Sequence, residues 1–226
     1  MTYVDRLLTA EPPLHAQMDG RVTDRIVPAA IGCPELAPLL SVLFLLIDET
    51  RSIVVNITSA HAGAGTSTVA RRAAEAAAST GWCRVALLDA KPQPDEPGHG
   101  LIDAIERGHS PVLSPQRIGA LEIDAGRLST AGQPCSRIES VRKLYGTLRD
   151  RYSLVIVDCP AVFAGQQTLM VAAAADETVL VLEAERTALA DVGRARAALE
   201  RRGAGVLGMV MNKSRARVPA MFGNRT

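Results

Sequence analysis

Lysine is nearly missing from this 226-residue chain: Lys91, Lys143 and Lys213 are the only three among 25 basic side chains, which 24 acidic ones balance. The net charge of +1 gives no global attraction for nucleic acid or anionic lipid, so no nucleic-acid partner is expected. In a chain so rich in alanine, the preference for arginine reads as codon usage. Cysteine and histidine are equally sparse. Cys33, Cys83, Cys135 and Cys159 make no CxxC pair, and His15, His61, His99 and His109 stand at no ligand spacing from them. That argues against a zinc site or a disulfide framework and for reduced, mostly buried thiols. Long apolar runs are missing too. The strongest, LAPLLSVLFLLID at 36–48, contains Pro38 and falls short of the ~18–20 residues of a membrane span. The opening MTYVDRLLTAEPP lacks the apolar core of a signal peptide. A cytoplasmic protein is expected.

What is present is enough apolar material for one sizeable core, 47% of the residues. The pattern divides the chain into a flexible N-terminal segment (1–34), one folded domain (35–213) and a basic C-terminal tail (214–226). Residues 35–48 read as a buried helix. Apolar runs at 52–59, 84–90, 153–160, 177–184 and 205–213 read as strands buried on both faces, with a weaker strand at 120–126. Segments 66–81, 100–108, 136–152, 165–175 and 187–203 have helical character; Gly81 and Gly108 close two of them. Buried strands alternating with helices predict an α/β fold, a parallel sheet with helices on both faces. Such sheets bind ligands at the C-terminal ends of their strands.

The chemistry-bearing residues gather at those ends. ITSAHAGAGTST (57–68) runs from a strand through a small-residue turn into a helix. Gly63, Ala64 and Gly65 can make a turn whose amides converge on an anion, and the following helix points its positive end at the same place. Ser67 stands where a metal-binding hydroxyl belongs, with Thr68 behind it. Thr66 stands where a phosphate loop carries lysine. Alone, this segment reads equally as a Gly-Ala turn joining any strand to any helix. Asp89 and Asp158 each end a predicted strand, as a metal-facing carboxylate does, and Asn212 lies at the end of the last one.

These motifs together resemble the cytoplasmic domain of bacterial tyrosine autokinases of capsule and exopolysaccharide assembly, within the Min/Par group of P-loop ATPases. ITSAHAGAGTST is similar to the family's Walker A, VALLDAKPQPD to its second acidic motif, and YSLVIVDCP to its Walker B. GLIDAIERG, LEIDAG and the run from 175 to 213 follow its remaining elements. The resemblance implies a P-loop NTPase-like fold of Min/Par type. It implies nucleotide binding by Gly63, Ala64, Gly65, Thr66, Ser67 and Thr68, with Asn212 approaching the adenine. It makes Asp89 and Asp158 the catalytic carboxylates and Ser67 and Asp158 the metal ligands. The implied cofactor is ATP or ADP with Mg²⁺. The implied partner is a membrane polysaccharide co-polymerase, which would hold the protein at the inner membrane, and a homo-oligomer is possible.

Four departures fall at functional positions. Thr66 replaces the Walker A lysine. The Asp-x-Asp-x-Arg of the second acidic motif reads Asp89, Lys91, Gln93. The family's Glu-x-x-Arg-x-x-Arg assembly frame reads Glu35, Pro38, Ser41. The C-terminal tyrosine cluster is absent, the chain's tyrosines being Tyr3, Tyr145 and Tyr152. Losing a cation ~4 Å from a phosphate forfeits about 4 kcal/mol at an effective dielectric of ~20, on the order of a thousandfold in affinity. Nucleotide binding is therefore expected to be weak or absent, and the protein to be a regulatory pseudo-kinase. Lys91 is a candidate charge substitute, reaching the phosphates or replacing the metal charge. The alternatives are an active kinase or ATPase with a rearranged cation, and a partition-type positioning ATPase.

Overall fold

The computed structural model describes residues 34–91, 100–129 and 137–213. The expected flexible segment and basic tail lie outside the described residues, except for residue 34, and so do Cys33, Cys135, His15 and His99. A 3-10 turn, Pro34–Leu36, leads into α1 (Ala37–Thr50). There follow β1 (Ile53–Ser59), α2 (Thr66–Ser79), β2 (Val85–Asp89), α3 (Leu101–Glu106), β3 (Ser114–Ile118), β4 (Leu121–Arg127) and α4 (Ile138–Arg149). The chain continues through β5 (Leu154–Asp158), a 3-10 turn (Val162–Ala164), α5 (Gln166–Ala174), β6 (Glu177–Glu183), α6 (Leu189–Glu200) and β7 (Val206–Asn212).

The seven strands form one sheet in the order β3-β4-β2-β5-β1-β6-β7. Every pairing is parallel except β3 with β4. The α/β expectation holds, with that one edge strand added. β3 carries little apolar signal: only Ile118 is buried, Ser114, Pro115, Gln116 and Arg117 are exposed, and Pro115 suits an edge strand. It joins β4 through Gly119 and Ala120, where Gly119 takes φ +60°, the left-handed backbone that such a two-residue turn requires at its first position.

Alternation along the strands sets the two faces. Val55 and Ile57 of β1 meet Leu40, Leu43, Phe44 and Ile47 of α1 and Val69 of α2 in one core cluster. Ala70, Ala73, Ala74 and Ala77 are fully buried beside them, and their small side chains let α2 lie close against the sheet. Val54 points the other way, into a cluster with Leu101 and Ile105 of α3 and Val141, Leu144, Tyr145 and Leu148 of α4. A third cluster sets Leu180 of β6 against Ala195 and Leu199 of α6. Full burial of each large aliphatic side chain stabilises the fold by about 1.5–3 kcal/mol. α1 is therefore a core helix. No helix among the described residues is long and apolar enough to cross a membrane.

Candidate functional site

β2, β5 and β1 are neighbours, so their C-terminal ends lie side by side at the centre of the sheet. Asp89 and Asp158 are register partners across β2 and β5, and Asp158 lies opposite Ile57 of β1. The loop that leaves β1 turns back over these ends to start α2. Gly63 and Gly65 take φ of +84° and +94°, conformations that favour glycine, and Gly65 caps α2. Of the residues that open α2, Thr66 is buried, Ser67 half-buried and Thr68 exposed. No charge stands at position 66.

The structure brings Ser67, Asp89, Lys91 and Asp158 together. The Lys91 Nζ donates to both carboxylate oxygens of Asp158, at 2.7 Å to Oδ1 and 2.6 Å to Oδ2. It also donates to Ser67 Oγ. The residue is aimed by its own backbone, because its amide donates to Asp89 Oδ1 at 2.9 Å, an Asx-type turn. The pair is largely withdrawn from solvent, with side-chain exposures of 27% for Lys91 and 10% for Asp158. Burial pushes the Asp158 carboxyl above its ordinary value, and the bond and charge of Lys91 pull it back only in part. The neighbouring Asp89 adds to the upward push.

Three further contacts brace the loop. Asn212 Nδ2 donates to Ala64 O at 2.9 Å. Its amide lies so close to Gly65 that a Cβ there would overlap it. The Lys213 Nζ donates to Gly63 O at 2.7 Å and reaches Glu183 Oε1 at 3.1 Å. That ammonium holds the Glu183 carboxyl below its ordinary value. His61 Nε2 lies 2.8 Å from Thr187 Oγ1, which accepts from the Glu183 amide. Sequence reasoning missed the parts played by Lys213, Glu183 and Thr187, since each is more than a hundred residues from the loop. Beyond Asp89 a cavity of about 200 Å³ opens between α2 and the β3–β4 hairpin, lined in part by Arg71, Arg117, Arg127, Asp89 and Asp158.

Mg²⁺ does not fit this arrangement. The ion takes near-ideal octahedral oxygen coordination through one or two carboxylates and several waters. Here the point shared by Ser67 and Asp158 is taken by an ammonium. A dication ~4 Å from that ammonium would be repelled by about 8 kcal/mol at an effective dielectric of ~20. Among the described residues no group of three or more His, Cys, Asp or Glu side chains is placed to hold a metal.

No protein-family model matches the sequence, and no curated protein matches it. Solved structures do. The kinase domain of the Escherichia coli tyrosine kinase ETK superimposes with a TM-score of 0.67 at 18% identity, covering 98% of this chain and 91% of that one. The VpsO kinase domain gives 0.57 at 20% identity over 95% of this chain and 100% of that one. The septum site-determining protein MinD of Pyrococcus horikoshii, complexed with Mg-ADP, gives 0.54 at 18% identity over 70% and 69%. The fold is thus that of P-loop NTPases and of bacterial tyrosine-kinase domains.

Proposed function

We propose that this protein is a regulatory or scaffold component of exopolysaccharide or capsule assembly, built on the tyrosine-kinase fold without the kinase chemistry. The observation that carries this reading is the Lys91 ammonium bound to Ser67 and Asp158. Phosphoryl transfer depends almost wholly on positioned charge. At this site the phosphate-facing cation is replaced by Thr66, and the carboxylate that would take a metal is neutralised from within. Gly63 and Gly65 keep their left-handed backbone and α2 still begins at Thr66, which supports weak, metal-independent contact between the helix start and nucleotide phosphates.

The fold of ETK and VpsO kinase domains supports docking on a membrane co-polymerase, which would hold the protein at the inner membrane from the cytoplasmic side. The family's assembly frame is not reproduced. Pro38 sits in the first turn of α1, Ser41 Oγ donates to Ala37 O, and Glu35 pairs with Arg72 at 3.4 Å on the surface. If an oligomer forms, it uses other contacts. Co-expression with the co-polymerase of the same organism tests the reading. The complex is expected to co-purify and to survive Asp158→Ala, because docking needs no turnover. Failure to co-purify would remove the scaffold role.

A further inference from the structure

The geometry points to Lys91 as a built-in cation that bars divalent metal from the hollow between Ser67, Asp89 and Asp158, and behind which those three residues form a latent metal site. The inference rests on reading the hollow as an altered nucleotide site, and not on the polysaccharide role.

Three observations converge on it. First, the ammonium makes all of its assigned contacts to oxygens that a hard cation would take: both Asp158 oxygens and the Ser67 hydroxyl. A lysine that merely lay in a surface loop would leave its head group in water. Second, the backbone is committed to the same end. The Lys91 amide is tied to Asp89 Oδ1, so the carboxylate that stands beside Asp158 in the sheet serves to aim the lysine. Third, the start of α2 offers no lysine in its place. Thr66 is uncharged, and the nearest ammonium in the loop's bracing, that of Lys213, is held by Gly63 O and Glu183 Oε1 on the loop's other side. Arg71, Arg117 and Arg127 line the neighbouring cavity, but the cation bound to both Ser67 and Asp158 is Lys91, and it is covalently part of the chain. Its supply does not vary with metal concentration or with chelators. Removing it would leave the Asp158 carboxylate and the Ser67 hydroxyl sharing one point, with Asp89 beside Asp158 in the sheet, oxygen ligands of the kind Mg²⁺ or Mn²⁺ takes.

Mn²⁺ is the probe, used with the full chain. The chain's three lysines allow the first measurement to be made on unaltered protein. In lysine-labelled protein followed by NMR, millimolar Mn²⁺ is expected to leave the Lys91 side-chain signal no broader than that of Lys143. Selective broadening of the Lys91 signal would place the ion in the hollow and overturn the proposal. The second measurement is an electron paramagnetic resonance titration of Mn²⁺ on wild type, Lys91→Asp and Lys91→Arg. Lys91→Asp is expected to bind Mn²⁺ at least about tenfold more tightly than wild type, since it exchanges the barring charge for a third carboxylate. Lys91→Arg is expected to behave as wild type. Equal Mn²⁺ affinity in wild type and Lys91→Asp would contradict the inference. If Lys91→Asp does not fold, the NMR measurement decides alone.

Discussion

The Lys91 ammonium lies 2.6 Å and 2.7 Å from the two carboxylate oxygens of Asp158, across 67 residues of sequence and at the centre of the sheet. Burial raises the Asp158 carboxyl above its ordinary value, and Lys91 opposes that rise. A carboxyl raised in the folded state contributes stability fully present below its unfolded pKa and lost as pH climbs through the folded one. Lys91→Ala leaves burial unopposed, so the folded carboxyl moves further up and more stability is lost on the alkaline side. The expected result is a variant destabilised by about 2–4 kcal/mol at neutral pH, somewhat less than for a fully buried pair with one partner removed because Lys91 keeps 27% of its side-chain exposure. The deficit should shrink as pH falls toward about 4. Urea unfolding of both proteins across that range checks it. A deficit independent of pH would show that the pair is not the cause.

Gly63 and Gly65 provide a matched comparison. Both have positive φ, but a Cβ at Gly63 meets open space and one at Gly65 overlaps the Asn212 amide. Gly63→Ala is expected to lower stability by about 1 kcal/mol, the strain of the left-handed backbone alone. Gly65→Ala is expected to lower it by a further ~1–3 kcal/mol from overpacking. Combining Gly65→Ala with Asn212→Ala should recover part of that excess, because the two residues touch. Thermal unfolding of the four proteins gives the answer, and equal effects at the two glycines would refute the clamp.

Thr66→Lys tests whether charge is what the loop lacks. The added ammonium should strengthen ADP binding by up to about a thousandfold, the equivalent of ~4 kcal/mol. Calorimetry on wild type and variant, with and without Mg²⁺, reads this directly. No gain in the folded variant would mean that the turn no longer accepts phosphate.

Cys83 and Cys159 are both free. Burial pushes the Cys83 thiol up to about 11 and raises that of Cys159 well above its ordinary value. At pH ~8 the Cys83 thiol should alkylate about a hundredfold more slowly than an unperturbed thiol, and the Cys159 thiol should be slowed as well. Iodoacetamide labelling followed by mass spectrometry, in a Cys33→Ser, Cys135→Ser background, checks the rate. Rapid labelling of the native protein would mean that these thiols are not shielded as described.

Most of the sheet was legible because its strands are buried on both faces and stand out as segments rich in Ile, Val and Leu, Ile53–Ser59 and Leu154–Asp158 above all. Their Asp and loop termini followed, since parallel strands align those ends. β3 was not legible. An edge strand of Ser, Pro, Gln and Arg with a single Ile at its end has too little apolar pattern to announce it and is held by its pairing with β4. The reach of Lys91 was half legible: the charge lost at 66 and gained at 91 suggested it, but no feature of the sequence set its direction. The direction comes from the Asp89 turn, a contact only three-dimensional structure reveals. Nothing local marked the grip of Lys213 and Asn212 on the loop, because it depends on β7 lying two strands from β1.

Incubation of the purified full chain with radiolabelled ATP and Mg²⁺ tests the absence of kinase chemistry most directly, with Asp158→Ala as the control. The account predicts no phosphate incorporated into tyrosine and no ADP released beyond the control. Incorporation into wild type that Asp158→Ala abolishes would contradict it.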